Sequence, residues 1–390
     1  MRRSLLVLAL LVLLPVIGCG NDSSASRSAS SAVAATAATT TPATAAQQPR
    51  PPRKPVRLTI LASGDFLIHS PVWQRAAALA GGDGYDFAPL FRYVKPYVQR
   101  ADLAICHVET PMTSAPPSGY PVFNTPPALA RAIRSTGWDA CDTASNHTLD
   151  QGSGGIAGTV QALDRAGVRH TGSFTTPQGS RRTLLLDAGD GVKVAFLAYT
   201  EMTNGIPAPH PWSVNIANAG RIVADARRAR ERGADVVLVN LHAGDEYGSQ
   251  PSAFQRTLAD ALMRSPAITA VVGQHVHVVQ PIARVHGKPV VFGEGNLISN
   301  QTPACCAPGA QDGLLAQLHL VVDRDRPRRT RVSSVTYVPV WVRQPDYAVL
   351  PIGDALRQGL ADPATLRASY DRTVSVAGRR AATPVPARLP

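Results

Sequence analysis

Gly273-Gln274-His275-Val276-His277 follows the apolar run Ala267-Ile268-Thr269-Ala270-Val271-Val272 and precedes Val278-Val279-Gln280-Pro281. The run before it is short and β-branched, which reads as a buried strand. Two histidines one residue apart then stand where that strand ends. In extended chain they would point to opposite faces, but in a loop past the strand each imidazole can turn toward a different neighbour in one cluster. An isolated His-x-His is more often a pair of surface residues. Recurrence changes the reading: four other segments also run from an apolar strand into a metal-type ligand.

The first is Val56 to Ala62, which ends at Ser63-Gly64-Asp65. A carboxylate at a strand's C-terminal edge is a frequent ligand position in α/β folds; the alternative is a helix N-cap. The second, Ala101 to Val108, delivers Glu109-Thr110-Pro111, where Pro111 stops the ladder. The third, Trp138 to Thr143, leads into Asn146-His147-Thr148-Leu149-Asp150, with Asn146 as a helix cap for the alternative. The fourth, Ala234 to Leu241, is apolar almost throughout, as a strand buried on both faces should be, and ends at His242. Helical stretches over 72–80, 87–100, 126–135, 155–166, 218–232 and 252–264 alternate with these strands, and hairpins occupy 182–199 and 278–292. Further strands are expected over 314–323 and 331–340, then helices over 353–360 and 363–376. The alternation predicts an α/β core whose parallel strand ends share one edge. That edge would gather two carboxylates, one amide and several imidazoles, an oxygen/nitrogen set that suits Mn, Fe or Zn with open coordination positions.

The rest of the chain has a different character. Arg2-Arg3, the apolar run Leu5 to Ile17 and Gly18-Cys19 have the form of a lipoprotein signal, predicting residues 1–18 as a signal peptide and Cys19 as the lipidation site. Residues 19–54 are Ala, Ser, Thr, Gln and Pro, a composition with too little to bury, and are expected to form a tether. The domain is expected over 55–345, with a C-terminal helical extension over 346–390. The chain of 390 residues carries a formal charge of +12, about +5 of it in the leader and tether. The remaining surplus favours anionic partners, but no basic helix, finger or aromatic-interleaved patch points to nucleic acid. Besides Cys19 there are Cys106, Cys141, Cys305 and Cys306; the first two lie in successive predicted strands and could meet, and the others are vicinal.

Gly64-Asp65, His107-Val108-Glu109-Thr110-Pro111, Ser145 to Gly152, Leu241-His242-Ala243-Gly244-Asp245-Glu246-Tyr247, Gly273 to His277 and Gly293-Glu294-Gly295-Asn296 occur in that order. Together they resemble the CapA (poly-γ-glutamate capsule synthesis) family, itself similar to the calcineurin-like metallophosphoesterases. The resemblance implies a metallophosphatase-like four-layer α/β/β/α sandwich. It implies two divalent metal ions held by Asp65, Glu109, Asn146, His242, His275 and His277, with Glu109 in the bridging place. His147 would be the catalytic acid, grouped with Asp150, while Glu246 and Asn296 would be further site residues. One departure matters: the D-x-H histidine of the wider superfamily is Leu67 here, and His69 stands at the wrong spacing to replace it.

The function implied is that of an extracytoplasmic, lipid-anchored protein of capsule or poly-γ-glutamate biosynthesis with a hydrolase-type dimetal site. Its expected partners are an anionic surface polymer, the membrane through its anchor, and capsule-synthesis membrane proteins. Two alternatives stand beside it: a metal-dependent phosphoesterase on a small substrate, and a non-catalytic polymer-binding or assembly subunit.

Overall fold

The computed structural model describes residues 53–387; the signal peptide, Cys19 and the tether up to residue 52 lie outside them. A first sheet begins with β1 (Val56–Phe66), β2 (Leu103–Val108), β3 (Ala140–Asp142) and β4 (Arg169–Thr171). The chain then builds a second sheet from β5 (Leu184–Asp187), β6 (Lys193–Thr200), β7 (Val236–His242), β8 (Ala270–Gln274), β9 (Ile282–Val285) and β10 (Lys288–Val291). It returns to the first sheet with β11 (Asn296–Ile298), β12 (Asp312–Val322), β13 (Arg331–Arg343), β14 (Ala348–Pro351) and β15 (Thr383–Pro384).

The first sheet runs β14-β13-β12-β1-β2-β3-β4, with β11 added to β1 and β15 to β13; the second runs β5-β6-β7-β8-β10-β9. Strands β1 to β4 are mutually parallel, as are β6, β7, β8 and β10, so each sheet brings parallel strand ends to one rim.

Period-two alternation assigns the layers. Along β7, Val236 and Leu238 pack between the sheets with Ile60, Ala62 and Ile105 of the first sheet. Val237 and Val239 point the other way, onto Ile222 and Ala226 of α6 (Ala219–Glu231) and Leu258 and Leu262 of α7 (Ala253–Arg264). The outer face of the first sheet is covered by α1 (Ser70–Leu79), α2 (Lys95–Arg100), α3 (Ala128–Thr136) and α4 (Gly152–Ala166), packed through Val72, Val98, Ile133 and Leu163, while the one-turn helix α5 (Pro177–Ser180) lies just before β5. The result is a four-layer α/β/β/α sandwich. Burying a side chain such as Leu238 between the sheets stabilises the fold by about 1.5–3 kcal/mol. Leu238→Asp would place an unpaired charge there and disrupt the sandwich.

Several details differ from the sequence reading. Strands β11, β14 and β15 were not anticipated, being two to four residues long and recognisable only through their pairing partners. Neither helix-cap alternative holds, because the N-cap of α1 is His69 and that of α4 is Gln151. Cys106 and Cys141 sit opposite each other across β2 and β3 and form a disulfide, and Cys305 is bonded to Cys306. The helices Ile352–Gln358 and Pro363–Ala377 dock on the first sheet, where buried Asp312 accepts hydrogen bonds from Ser369 and Arg372. Among the described residues no helix is long and apolar enough to cross a membrane.

Candidate metal centre

Asp65 lies near the end of β1, where that strand pairs with His107 of β2 on one side and Asn296 of β11 on the other. The neighbouring position must be glycine: a Cβ on Gly64 would stand 1.8 Å from the carbonyl oxygen of Gly295. This close approach lets β11 seat against β1 and aims Asp65 across the rim at the other sheet. There, the backbone amide of His275 donates to Asp65 Oδ1 and Oδ2 at 3.2 and 3.3 Å. His275 and His277 have φ of 94° and 59°, a left-handed backbone that non-glycine residues rarely adopt. Strain of this kind persists only where the surroundings enforce it, and here it turns both imidazoles inward from one short loop.

The ligand atoms then converge. His242 Nε2 lies 2.8 Å from Asn146 Oδ1, 3.1 Å from His275 Nδ1 and 3.9 Å from Glu109 Oε1. A neutral imidazole has one proton to give, so these lone pairs cannot all satisfy one another. On the other side, His277 lies 3.3 Å from Asp65 Oδ2 through Nδ1 and 3.7 Å from Glu109 Oε1 through Nε2. Three sets place their ligand atoms within 4.8 Å of one another: Asp65/His107/His242, Glu109/His242/His275 and Asp65/Glu109/His277. Asp65, Glu109 and His242 each belong to two of them, so either carboxylate is placed to be shared between sets. All are buried, yet both Glu109 oxygens, His107 Nε2 and His242 Nδ1 have no hydrogen-bond partner among the described residues. Buried polar atoms are rarely left so, and shared cations are what would satisfy this set.

The charges respond as expected of such packing. Burial alone would raise Asp65, but His277, His107 and the His275 amide hold it below its ordinary value. Burial, with Asp65 adding to it, pushes Glu109 up to about 7. Burial would lower His107 and His277, yet Asp142 beside His107 and Glu109 and Asp65 beside His277 raise each to about 9. Burial drives His275 down to about 3 and His242 well below its usual range, and the neighbouring imidazoles reinforce both. Protons on His107 and His277 thus balance the carboxylates in the protein alone, a task that bound cations would take over.

Surrounding groups fix the rings. Asp150 Oδ2 is 2.8 Å from His147 Nδ1 and also accepts from the Phe123 amide, while Phe123 packs edge-on against the His147 ring. Asp150 therefore positions His147. Asn296 Oδ1 is 3.1 Å from His277 Nδ1, and its amide nitrogen donates to the Gln301 side chain and the Ala310 carbonyl. Glu246 is exposed on the loop after β7; it influences His277 through space and joins no ligand set. His69 is likewise in none of them: its Nδ1 accepts from the Asn300 amide and its ring packs on Phe123. Leu67 is buried in the apolar core.

His107 was missed as a ligand in the sequence. It precedes Glu109 by two residues, with Glu109 directly after the end of β2, and period two carried to that end puts both on the same face. Its Nδ1 is 2.9 Å from Asp142 Oδ1, directly across the β2–β3 ladder, and Asn240 Nδ2 donates to the other oxygen of Asp142 at 2.5 Å. Its free Nε2 lies 3.8 Å from Asp65 Oδ1, which puts His107 in the ligand cluster beside Asp65.

Fold and site thus define an α/β sandwich protein with a buried oxygen/nitrogen ligand cluster able to hold divalent metal. The sequence matches the family described as "Bacterial capsule synthesis protein PGA_cap" over residues 59–301, and the chain belongs to that family. It is 26% identical over 275 residues to the capsule biosynthesis protein CapA of Bacillus anthracis, covering 68% of this chain and 64% of that protein. To the PGA biosynthesis protein CapA of Bacillus subtilis strain 168 it is 24% identical, covering 59% and 61%. The matched region thus spans about three fifths of the length of these relatives. Among solved structures, a calcineurin-like phosphoesterase, YfkN of Bacillus subtilis, aligns over 82% of this chain and 98% of its own at 16% identity and a TM-score of 0.45. A phosphatase of Mycoplasma pneumoniae aligns over 80% and 99% at 13% identity and 0.46.

Proposed function

We propose that the protein processes an anionic surface polymer of the poly-γ-glutamate kind through metal-assisted hydrolysis, from a lipid anchor on the outer face of the cell membrane. The anchor rests on the sequence around Cys19. The polymer rests on family membership and on the relatives' roles in capsule and PGA biosynthesis. One observation carries the hydrolytic reading: the two unpartnered oxygens of buried Glu109, set between the His242/His275 pair and the Asp65/His277 pair.

Asp65, His107 and His277 would hold one divalent ion, and Asn146, His242 and His275 the other, with Glu109 between them. When bound, such ions supply a water nucleophile near neutral pH and draw charge from the attacked carbonyl or phosphoryl centre. His147, its Nδ1 fixed by Asp150, presents Nε2 as the proton donor to the leaving group. The test is release of short fragments from purified γ-linked polyglutamate, set against a panel of phosphodiesters. His147→Ala should abolish turnover on the true substrate while metal content stays at the wild-type level; unchanged turnover would remove His147 from the mechanism. Cleavage of phosphodiesters alone would move the substrate class to phosphoesters.

A further inference from the structure

A large groove lies at the rim opposite the metal centre. Its volume is about 1250 Å³, and Ala234 and Asp235 before β7, Ile268 and Thr269 before β8, and Lys288 at the start of β10 line it. The metal ligand His242 is at the other end of β7, which spans seven residues, about 20 Å of strand. The groove is therefore a separate surface.

Its walls are cationic. Arg227 and Arg230 come from α6, Arg264 from α7, Lys288 from β10, Arg328 from the turn before β13, and Arg331 from the start of β13. Glu231 and Asp235 are the acids among the lining residues. Asp260 pairs with Arg264 and with His286. Among the described residues none of the other five cations has a carboxylate within 4.0 Å. Two of the five form the floor. Arg230 is held by the carbonyls of Ala267 and Ala234 and the Thr269 hydroxyl, and Lys288 by the carbonyls of Ser265 and Ile268. These bonds fix the side chains without neutralising them. Burial, with Arg230 adding repulsion, lowers Lys288 to about 8. Two partly buried cations face each other here, with the Asp235 carboxylate near Arg230 but beyond ion-pair distance; they form a preorganised anion site, and three exposed guanidinia at the walls extend its field.

We infer that this groove is a binding site for an extended polycarboxylate chain, which it holds while another stretch of the same polymer is worked on at the opposite rim. The choice of a polycarboxylate rests on the function proposed above. A concave surface with cations on several walls suits a chain lying within it better than a flat bilayer. An anionic membrane is nonetheless the competing occupant, because Arg53 pairs with Asp325 beside the same turn and so brings the chain in at this rim.

The experiment uses the full chain and a fluorescent poly-γ-glutamate oligomer, read by anisotropy at low and physiological salt. Wild type should bind, and more weakly as salt rises. Arg227→Glu with Arg328→Glu should raise Kd at least tenfold, about 1.4 kcal/mol, while metal content and Tm stay at wild-type values. The neutral pair Arg227→Gln with Arg328→Gln should fall between. A His275→Ala protein should show the same ratio between intact and reversed grooves, separating this site from the metal centre. Binding by wild type that the reversals leave unchanged overturns the groove and spares the polymer reading. Absence of oligomer binding by wild type overturns the polymer reading and the occupant together. Groove-dependent sedimentation with anionic phosphatidylglycerol vesicles, without oligomer binding, assigns the surface to the membrane instead.

Discussion

Replacing Glu294 by Gln should stabilise the metal-free protein, and by more at pH 7 than at pH 5. Glu294 is fully buried behind the ligand cluster; its Oε2 accepts from Gln274 Nε2 at 2.9 Å, and its Oε1 has no partner. Burial, with Asp65 and Asp142 adding repulsion, raises it from 4.5 to about 8. The unfolded chain ionises this group near pH 4.5, whereas the folded chain keeps the proton until about pH 8. Over that interval the unfolded state binds fewer protons, so stability falls as pH rises and levels off above pH 8. At about 1.4 kcal/mol per pH unit, the cost is about 1 kcal/mol at pH 5 and about 3 kcal/mol at pH 7. Gln keeps the acceptor for Gln274 and has no proton to lose. The advantage of Glu294→Gln over wild type should therefore widen by about 2 kcal/mol between the two pH values, roughly 4 °C in Tm. The assay is thermal unfolding of both chelated proteins from pH 5 to 8. An advantage independent of pH, or a variant less stable than wild type at pH 7, would refute a buried protonated carboxyl at this position.

Two further substitutions test how the ligands are held. His107→Gln removes the imidazole whose Nε2 faces Asp65, and should weaken the tighter divalent site about 10- to 100-fold by calorimetric titration with Mn or Zn; unchanged affinity would leave His107 outside the metal shell. Asn296→Ala frees the His277 ring from its fixed orientation and should cost a similar factor in metal affinity. The affinity should recover partly with Asn296→Asp, which restores an oxygen acceptor, and an affinity equal to wild type would show that backbone geometry alone sets the ring.

How much of this was legible in the sequence depends on the length scale of each signal. The continuous apolar runs around Val237 and Val271 identified buried parallel strands because both faces of those strands are covered. The rule that ligands gather at parallel strand ends brought Asp65, Glu109, His242, His275 and His277 to one place, and the geometry places their ligand atoms together. Asp150 was legible only as a neighbour of His147; the Phe123 amide that helps to hold it comes from a distant loop. His107 was readable through its two-residue offset from Glu109, but its partner Asp142 depends on the β2–β3 register, which no local pattern encodes. Glu246 was expected as a further site residue from its place in the family-like run after His242, yet the turn at Gly244, with φ of 120°, carries the chain outward before it. The basic groove left no local signature, since its cations come from two helices, two strands and a turn that meet only in the folded chain.

The most direct test of the account is metal content. Elemental analysis of protein purified without chelator and supplemented with Mn or Zn should find one to two transition ions per chain, falling to below half of that in Glu109→Ala with the fold retained by circular dichroism. Protein that takes up no transition metal under supplementation, or a Glu109→Ala variant that keeps the full complement, would contradict a shared metal centre at this rim.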